Sequence, residues 1–556
     1  MEISTPAHAP GNSTTRSPAS PWRATLVVVA LIISVPVVTV LASLTQPFSG
    51  IWQHLFNTVL SDYIRNSALL MIGVGFGTVF LGVSGAWLTA MCEFPGRKFF
   101  NWALLLPMAM PAYIIAYTYT GLLDFTGPVQ STIRGYFELS YGDYWFPEIR
   151  SVGGAVCMLS LVLYPYVYLL ARVAFMEQST AVLEASRNLG KGPWQTLFLV
   201  ALPMARPAIV AGTSLALMET LADYGTVEYF GVSTFTTGIF RTWYGLGELT
   251  SAAQLSALLM VFVFTLMALE RWSRHRIRFH HTSARSRATK IHLSGWRGAA
   301  CFSLVFATVF FGFILPAGQL LAWAIAKWQS NINLEFISLI LNSFTLAASA
   351  SFVCLLVALL MGYGKRIHPG KLETSSASVS SMGYAVPGTV IAVGVLIPFA
   401  WIDNQVDATM RSWFDVSTGL LLSGTVVALI FAYVVRFLSV SLQSVESGLQ
   451  KIRPSIDESA RSLGQGPFGV LKRIHLPMLR GSVLTALLLV FVDVLKELPT
   501  TLILRPFNFN TLAVRTYELA SDERLADAAA PALAIVLIGL LPVILITRTM
   551  TRETGT

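Results

Sequence analysis

The sequence predicts an all-α polytopic membrane protein of about twelve transmembrane helices, built as a tandem duplication of a six-helix unit. Three observations predict it: too little charge for soluble domains, twelve long apolar runs, and a segment repeated at a fixed offset of 274 residues. Of the 556 residues, 54% are hydrophobic and 12% charged, and the mean hydropathy is +0.64. Soluble globular proteins carry about 25% charged residues, so a chain of several water-facing domains is excluded. The cysteines Cys92, Cys157, Cys301 and Cys354 are scattered, with no CxxC or Cys/His spacing. They support neither a disulfide framework nor a structural zinc site.

A bilayer-crossing helix needs about 20 largely apolar residues. Runs that satisfy this in the first half lie at 24–44, 66–91, 101–122, 152–175, 206–222 and 252–270. Those of the second half lie at 299–325, 342–362, 380–400, 417–440, 481–500 and 530–547. The expected organisation is therefore a disordered tail over 1–23, a six-span half over 24–270 with its core from about 62, and a basic linker over 271–298. A second half follows over 299–547, with its core from about 340, and a short tail over 548–556. The first apolar run is too long for a cleaved signal segment and is expected to remain as an anchor.

Charge placement sets the orientation. The stretch 271–297 holds eight Lys/Arg and no acid, nearly the whole net charge of +9. Beside an apolar span, such a run marks a cytoplasmic loop rather than a nucleic-acid site. Arg97 and Lys98, Lys365 and Arg366, and Lys472 and Arg473 fall on the same side, whereas Asp124, Glu138, Asp143 and Glu148 fall in one opposite loop. Asp403, Asp407 and Asp415 fall in another. Both termini are expected in the cytoplasm.

The repeat carries the most information. EASRNLGKGPWQTLFLVALPMAR at 184–206 and ESARSLGQGPFGVLKRIHLPMLR at 458–480 align without a gap, with 11 of 23 positions identical. Near offset 276, Pro111 falls on Pro387. Because six spans are an even number, the halves run parallel and surround a central path as a pseudo-twofold pair. Within each copy, Gly190 and Gly464 suit a left-handed helix stop, and Pro193 and Pro467 suit a first helical position. Leu202-Pro203 and Leu476-Pro477 are expected to interrupt the helix, since proline disfavours helix at the residue before it. The outcome expected is two short helices joined by a tight turn. Glu184 and Glu458 would offer a carboxylate to a basic partner, and the small residues Ala185 and Ser459 would permit its close approach. Arg187 and Arg461 are repeated with them.

This pattern, E-A-S or E-S-A followed by Gly and then Leu-Pro, resembles the coupling loop of ABC importer permeases of the type I fold. The resemblance covers about 60–547 as two six-span units. It implies that the two loops dock two copies of an ABC ATPase subunit, and that an extracytoplasmic binding protein delivers the substrate. METLADYGTVEYFGVSTFTTGIFRTWY at 218–244 and DVLKELPTTLILRPFNFNTLAVRTYE at 493–518 resemble the fused, two-half ferric iron permeases of bacteria. The implied function is import of ferric iron across the inner membrane by alternating access. Permeases for thiamine or a phosphonate share the plan and remain alternatives, with an ion-driven secondary transporter as a rival from another class.

No GxxxxGK[ST] occurs, so no nucleotide loop is expected here. ATP would be used by the partner subunits, and no catalytic residue or bound cofactor is expected on this chain. GVGFG at 73–77 lies in an apolar span and is expected to serve close helix packing. Ionisable groups inside spans are functional candidates by default. They are Glu219 and Asp223, matched by Asp493 and Glu497 at the 274 offset. These four are expected to line or gate the path, and the ligands of any metal in transit stay open. Pairing with Lys496, Arg241 or Arg515 at the outer boundary is the plainer alternative for them.

Overall fold

The structure is a computed structural model and describes residues 21–140, 143–178, 186, 188–275 and 291–554. Residues 1–20 and most of the basic linker lie outside the described residues, while 21–23, expected in the tail, open α1. Twelve helices occupy the expected positions: α1 Pro21–Ala42, α2 Leu60–Met91, α3 Ala112–Leu123, α4 Val152–Glu177, α5 Leu202–Ala222 and α6 Leu249–His275. The second half contributes α7 Gly295–Ala326, α8 Leu334–Ile367, α9 Gly388–Phe414, α10 Val426–Gln450, α11 Arg480–Leu495 and α12 Ala529–Thr554. Among the described residues nine helices are long and apolar enough to cross a bilayer, or up to eleven if each of two sharply bent pairs is one span. A shorter apolar stretch, Ala529–Leu545, stands at the last position. A short parallel β pair, Cys92–Glu93 with Ile291–His292, ties the loop after α2 to the end of the linker.

The expected span 101–122 is not continuous. Arg97–Ala109 and Ala112–Phe137 meet at 92°. The cause is Pro111, which forces Met110 to extended backbone (φ −105°, ψ 116°). Its equivalent Pro387 does the same to Val386 (φ −85°, ψ 128°), so α3 and α9 both begin at a proline inside the molecule. The second bent pair, Pro467–Met478 and Arg480–Leu495, turns by 78°. Its first-half counterpart, Trp194–Ala222, runs through as one helix.

Small residues set the closest packing. A Cβ added at Gly73 would sit 2.7 Å from Val156 Cγ2, and one at Gly82 would sit 2.7 Å from Val167 Cβ, both on α4. Gly75 faces Leu217 on α5 instead. The glycine-rich stretch of α2 is therefore a packing face, as van der Waals association of membrane helices requires.

The sequence halves are not the packing units. α1 lies on α9, with the Pro36 carbonyl against Gly394, and Arg23 reaches Glu373 of the second half at 2.7 Å. Reciprocally, α7 lies on the first half. The Tyr119 hydroxyl donates to the Phe311 carbonyl at 2.6 Å, Gly312 abuts Pro107, and Trp323 stacks on Tyr117. Each half thus lends its first helix to the other.

Candidate functional site

The second repeated loop folds as an elbow with the expected punctuation, and the described part of the first shares its turn. In the second, helix Pro454–Ser462 stops at Gly464, whose φ is +80°. The Gln465 N–H donates to the Ala460 carbonyl at 3.0 Å and the Gly464 N–H to Arg461 at 2.9 Å, the paired bonds of a Schellman stop. In the first, Gly190 has φ +74° and the Lys191 N–H donates to Ser186 at 3.1 Å. A Cβ at either glycine would meet nothing within 4 Å, so the backbone angle alone demands glycine. The next helices begin at Pro193 and Pro467.

The Leu-Pro pairs are themselves helical, and only in the second copy does the helix break nearby, at Leu479. A π turn precedes each, Leu197–Ala201 and Leu471–His475, with the N–H of Leu202 and Leu476 donating five residues back to Leu197 and Leu471. Proline lacks a donor and crowds the carbonyl four residues before it. A widened turn absorbs that crowding, so Leu202, Pro203, Leu476 and Pro477 remain helical.

Glu458, Ser459 and Arg461 are exposed on the second elbow. Glu184, Ala185 and Arg187 lie outside the described residues. The sequence reading passed over the most exposed apolar groups at the elbows. Leu189 and Leu463 are 79% and 81% exposed, and the equivalent aromatics Trp194 and Phe468 project beside them. Apolar residues identical or similar at both copies, immediately next to the stop glycine, were the available signal.

The elbows are anchored differently. Asp457 accepts from Arg366 Nε at 2.7 Å and lies 2.7 Å from His475 Nε2. Burial alone would raise its carboxyl, but the Arg366 and His475 contacts outweigh it and hold it below the ordinary carboxylate value. Arg366 also donates to the carbonyls of Leu449 and Ile452, so this elbow is locked to the end of α8. At the equivalent of His475 the first half has Ala201, whose carbonyl accepts from Gln178 at 2.8 Å.

Glu219, Asp223, Asp493 and Glu497 line one cavity of about 130 Å³ between the halves. They divide into two kinds. Asp223 accepts from the Thr226 N–H at 3.1 Å, the Thr226 hydroxyl at 3.0 Å and the Val227 N–H at 3.2 Å. Glu497 accepts equivalently from the Thr500 N–H at 3.0 Å, the Thr500 hydroxyl at 2.7 Å and the Thr501 N–H at 3.1 Å. Each therefore caps the start of a short helix, Gly225–Tyr229 or Pro499–Leu504, where a carboxylate also meets the positive end of the helix dipole. Glu497 is further paired with Arg436 at 3.0 Å. Glu219 and Asp493, one turn earlier, are free of this capping duty. Asp493 pairs with Lys496 at 2.8 Å. Arg241 and Arg515 pair elsewhere, with Glu228 at 3.1 Å and Glu335 at 2.9 Å.

The cavity wall contains residues that the sequence reading did not single out: Arg436, Tyr113, Tyr166 and Tyr384. Arg436 sits inside an apolar run, so the rule that flagged the four acids would also have flagged it. Among the described residues no three His, Cys, Asp or Glu side chains converge as a metal site.

Two of the acids expected in an outer loop prove to be internal staples. Asp403 and Asp407 lie on α9 rather than in a loop. Asp403, 1% exposed, accepts from the N–H groups of Leu421 and Leu422 at 3.2 and 2.9 Å and of Ser423 at 2.7 Å. Asp407 accepts from the Thr418 and Gly419 N–H groups at 2.8 and 3.2 Å. They hold the 415–425 connection in place, and Asp415 (φ +54°) ends α9.

A family model, the binding-protein-dependent transport system inner membrane component, matches residues 79–279 and again 354–552. An Fe(3+)-transport system permease protein FbpB 2 of Haemophilus influenzae is 26% identical over 497 residues, covering 88% of this chain and 90% of its own. A ferric transport system permease protein FbpB of Actinobacillus pleuropneumoniae is 22% identical over 77% of this chain and 62% of its own. A molybdenum transport system permease protein ModB of Escherichia coli is 26% identical over 179 residues, 32% of this chain and 71% of its own. With two matched segments that together exceed half of its length, each holding one elbow and one wall of the cavity, the chain belongs to the binding-protein-dependent transport system inner membrane component family.

Proposed function

We propose that this chain is the permease subunit of an ATP-binding-cassette importer and carries ferric iron across the inner membrane by alternating access. The observation that carries the reading is the charge of the central cavity. Four carboxylates (Glu219, Asp223, Asp493, Glu497) face two cations (Arg436, Lys496), an excess of two negative charges at the interface of the halves. A wall of that sign favours a cation over an oxyanion, and carboxylate oxygens suit a hard trivalent ion. The relatives named for ferric transport, which match along 88% and 77% of this chain, agree with it, whereas the molybdenum relative matches only 32% of it.

Two ATPase copies dock on the elbows through Leu189 and Trp194 and through Leu463 and Phe468, with Glu184 and Glu458 meeting basic groups. A loaded periplasmic binding protein docks on the opposite face. ATP is bound and hydrolysed by the partners, both termini are cytoplasmic, and this chain binds no cofactor of its own. Its task is to expose the cavity to one side and then the other.

The test is radioiron uptake into proteoliposomes holding this chain with its ATPase and binding protein, with and without ATP. Thiamine, a phosphonate and molybdate serve as competitors. ATP-dependent iron uptake that resists all three supports the reading. ATP-independent uptake, or uptake of a competitor in place of iron, overturns it.

A further inference from the structure

Glu219 and Asp493 are equivalent positions on α5 and α11, and both line the cavity. Their partners differ. Asp493 holds Lys496 at 2.8 Å, while the position equivalent to Lys496 in the first half is Ala222, in the opposite wall. Glu219 has no hydrogen bond or ion pair among the described residues. The Lys496 ammonium lies within electrostatic reach of Glu219 as well as of Asp493 and the Tyr166 hydroxyl. At the same place Tyr166 of α4 and Tyr384 of the second half both line the cavity. Independently, the Tyr113 hydroxyl in this wall has no partner among the described residues, although the residue is only 5% exposed. A buried hydroxyl left unmatched costs free energy unless something else in the cavity meets it.

The cavity thus presents two pseudo-twofold carboxylates and one ammonium on a flexible four-carbon stem. Lysine is a compact point charge with rotatable donors, unlike the planar Arg436 guanidinium beside Glu497. We propose that Lys496 is a tethered counter-ion, which holds the cation position between Glu219 and Asp493 while the path is empty and yields it to the cargo cation. This inference rests on the cation reading above.

The physical need is twofold. Two carboxylates facing one cavity with no cation near them would repel each other more than they do in bulk water. A site that neutralised them with the cargo alone would hold that cargo too well, because passage requires binding weak enough to leave. A tethered ammonium meets both needs. It neutralises the empty path and competes with the cargo at every moment of occupancy. It also sets a threshold, since an incoming ion must interact with the carboxylates more strongly than a singly charged ammonium does.

Lys496→Met keeps the stem and removes the charge. The probe is terbium(III), a hard trivalent ion whose luminescence is sensitised by nearby tyrosines, titrated into the complete transporter with its ATPase and binding protein. The expected result is a Kd for terbium about tenfold lower in Lys496→Met, a change of ~1.4 kcal/mol. Radioiron turnover falls with it, because release is slowed. Lys496→Arg reverses the gain in affinity, and Glu219→Gln added to Lys496→Met abolishes it. Glu219→Gln alone weakens terbium binding while leaving the Asp493–Lys496 pair in place, so the proposal remains testable if Lys496→Met fails to insert. Unchanged terbium affinity with continued iron uptake overturns the counter-ion and spares the proposed function. Loss of molybdate uptake in Lys496→Met, with no gain for terbium, makes Lys496 an anion ligand and overturns both.

Discussion

Replacing Asp457 with alanine removes the carboxylate that fastens the second elbow to the membrane helices. Its two oxygens engage Arg366 and His475 at 2.7 Å each, with the three side chains 13%, 16% and 0% exposed. Breaking a buried ion pair by removing one partner costs about 3–5 kcal/mol, and a hydrogen bond to a charged group contributes about 1.5–3 kcal/mol. Arg366 keeps its bonds to the Leu449 and Ile452 carbonyls, so the stranded guanidinium stays partly satisfied. A net loss of ~2–3 kcal/mol follows, which raises the released population of the elbow about 30- to 140-fold. The assay is hydrogen exchange on the reconstituted complex, read over 454–478 and over the first elbow, beside uptake per ATP hydrolysed. Exchange should accelerate at the second elbow only, because Leu183 and Ala201 stand where the first would need Asp457 and His475. Uptake per ATP should fall. Unchanged exchange over 454–478 would refute the reasoning. The acid limit has a definite sign: a depressed carboxyl stabilises fully above the unfolded value of about 3.9. That contribution is lost as pH falls through the lower folded value, so the stabilisation owed to ionised Asp457 should be complete above about pH 4 and fade only below it.

Other outcomes follow from the same geometry. Gly464→Ala forces an alanine to φ +80° in otherwise open space, so it should cost about 1 kcal/mol from the backbone alone, measurable as lower thermal stability of the purified chain. Arg436→Met leaves the Glu497 carboxylate, 2% exposed, without its cation. The melting temperature in detergent should drop by an amount matching about 3 kcal/mol, and Arg436→Met with Glu497→Gln should recover part of it. Leu189→Ser together with Leu463→Ser should abolish co-purification of the ATPase while leaving membrane insertion intact. Retention of the ATPase would remove the elbows' exposed leucines from the docking face.

What was legible in the sequence was local. Gly190, Gly464, Pro193 and Pro467 act within a few residues of themselves, so their spacing announced the elbows. GVGFG announced a packing face because only close helix approach uses glycines there. Pro111 and Pro387 were visible as a repeated pair, but a 20-residue hydropathy window averages across a kink and hid the break. Capping by Asp223 and Glu497 was also local, an acid followed three residues later by threonine, yet the costliness of acids within spans drew the eye to transport instead. The exchange of α1 and α7 was not legible, because an apolar surface looks the same whichever half it covers. Nor were the duties of Asp403 and Asp407, whose acceptor oxygens serve amides 11 to 20 residues away.

A transporter assembled from two identical subunits can place residues on its axis only in pairs, so any ammonium near the centre would come with a twin. Fusion into one chain lifts that restriction. Lys496 faces Ala222, Arg436 has Val162 as its counterpart, and Tyr384 has Met108. Each is a singleton that a homodimer could not encode. Covalent continuity between the halves thereby gives the central cavity access to odd numbers of charges, and lets its two walls be tuned by separate mutations.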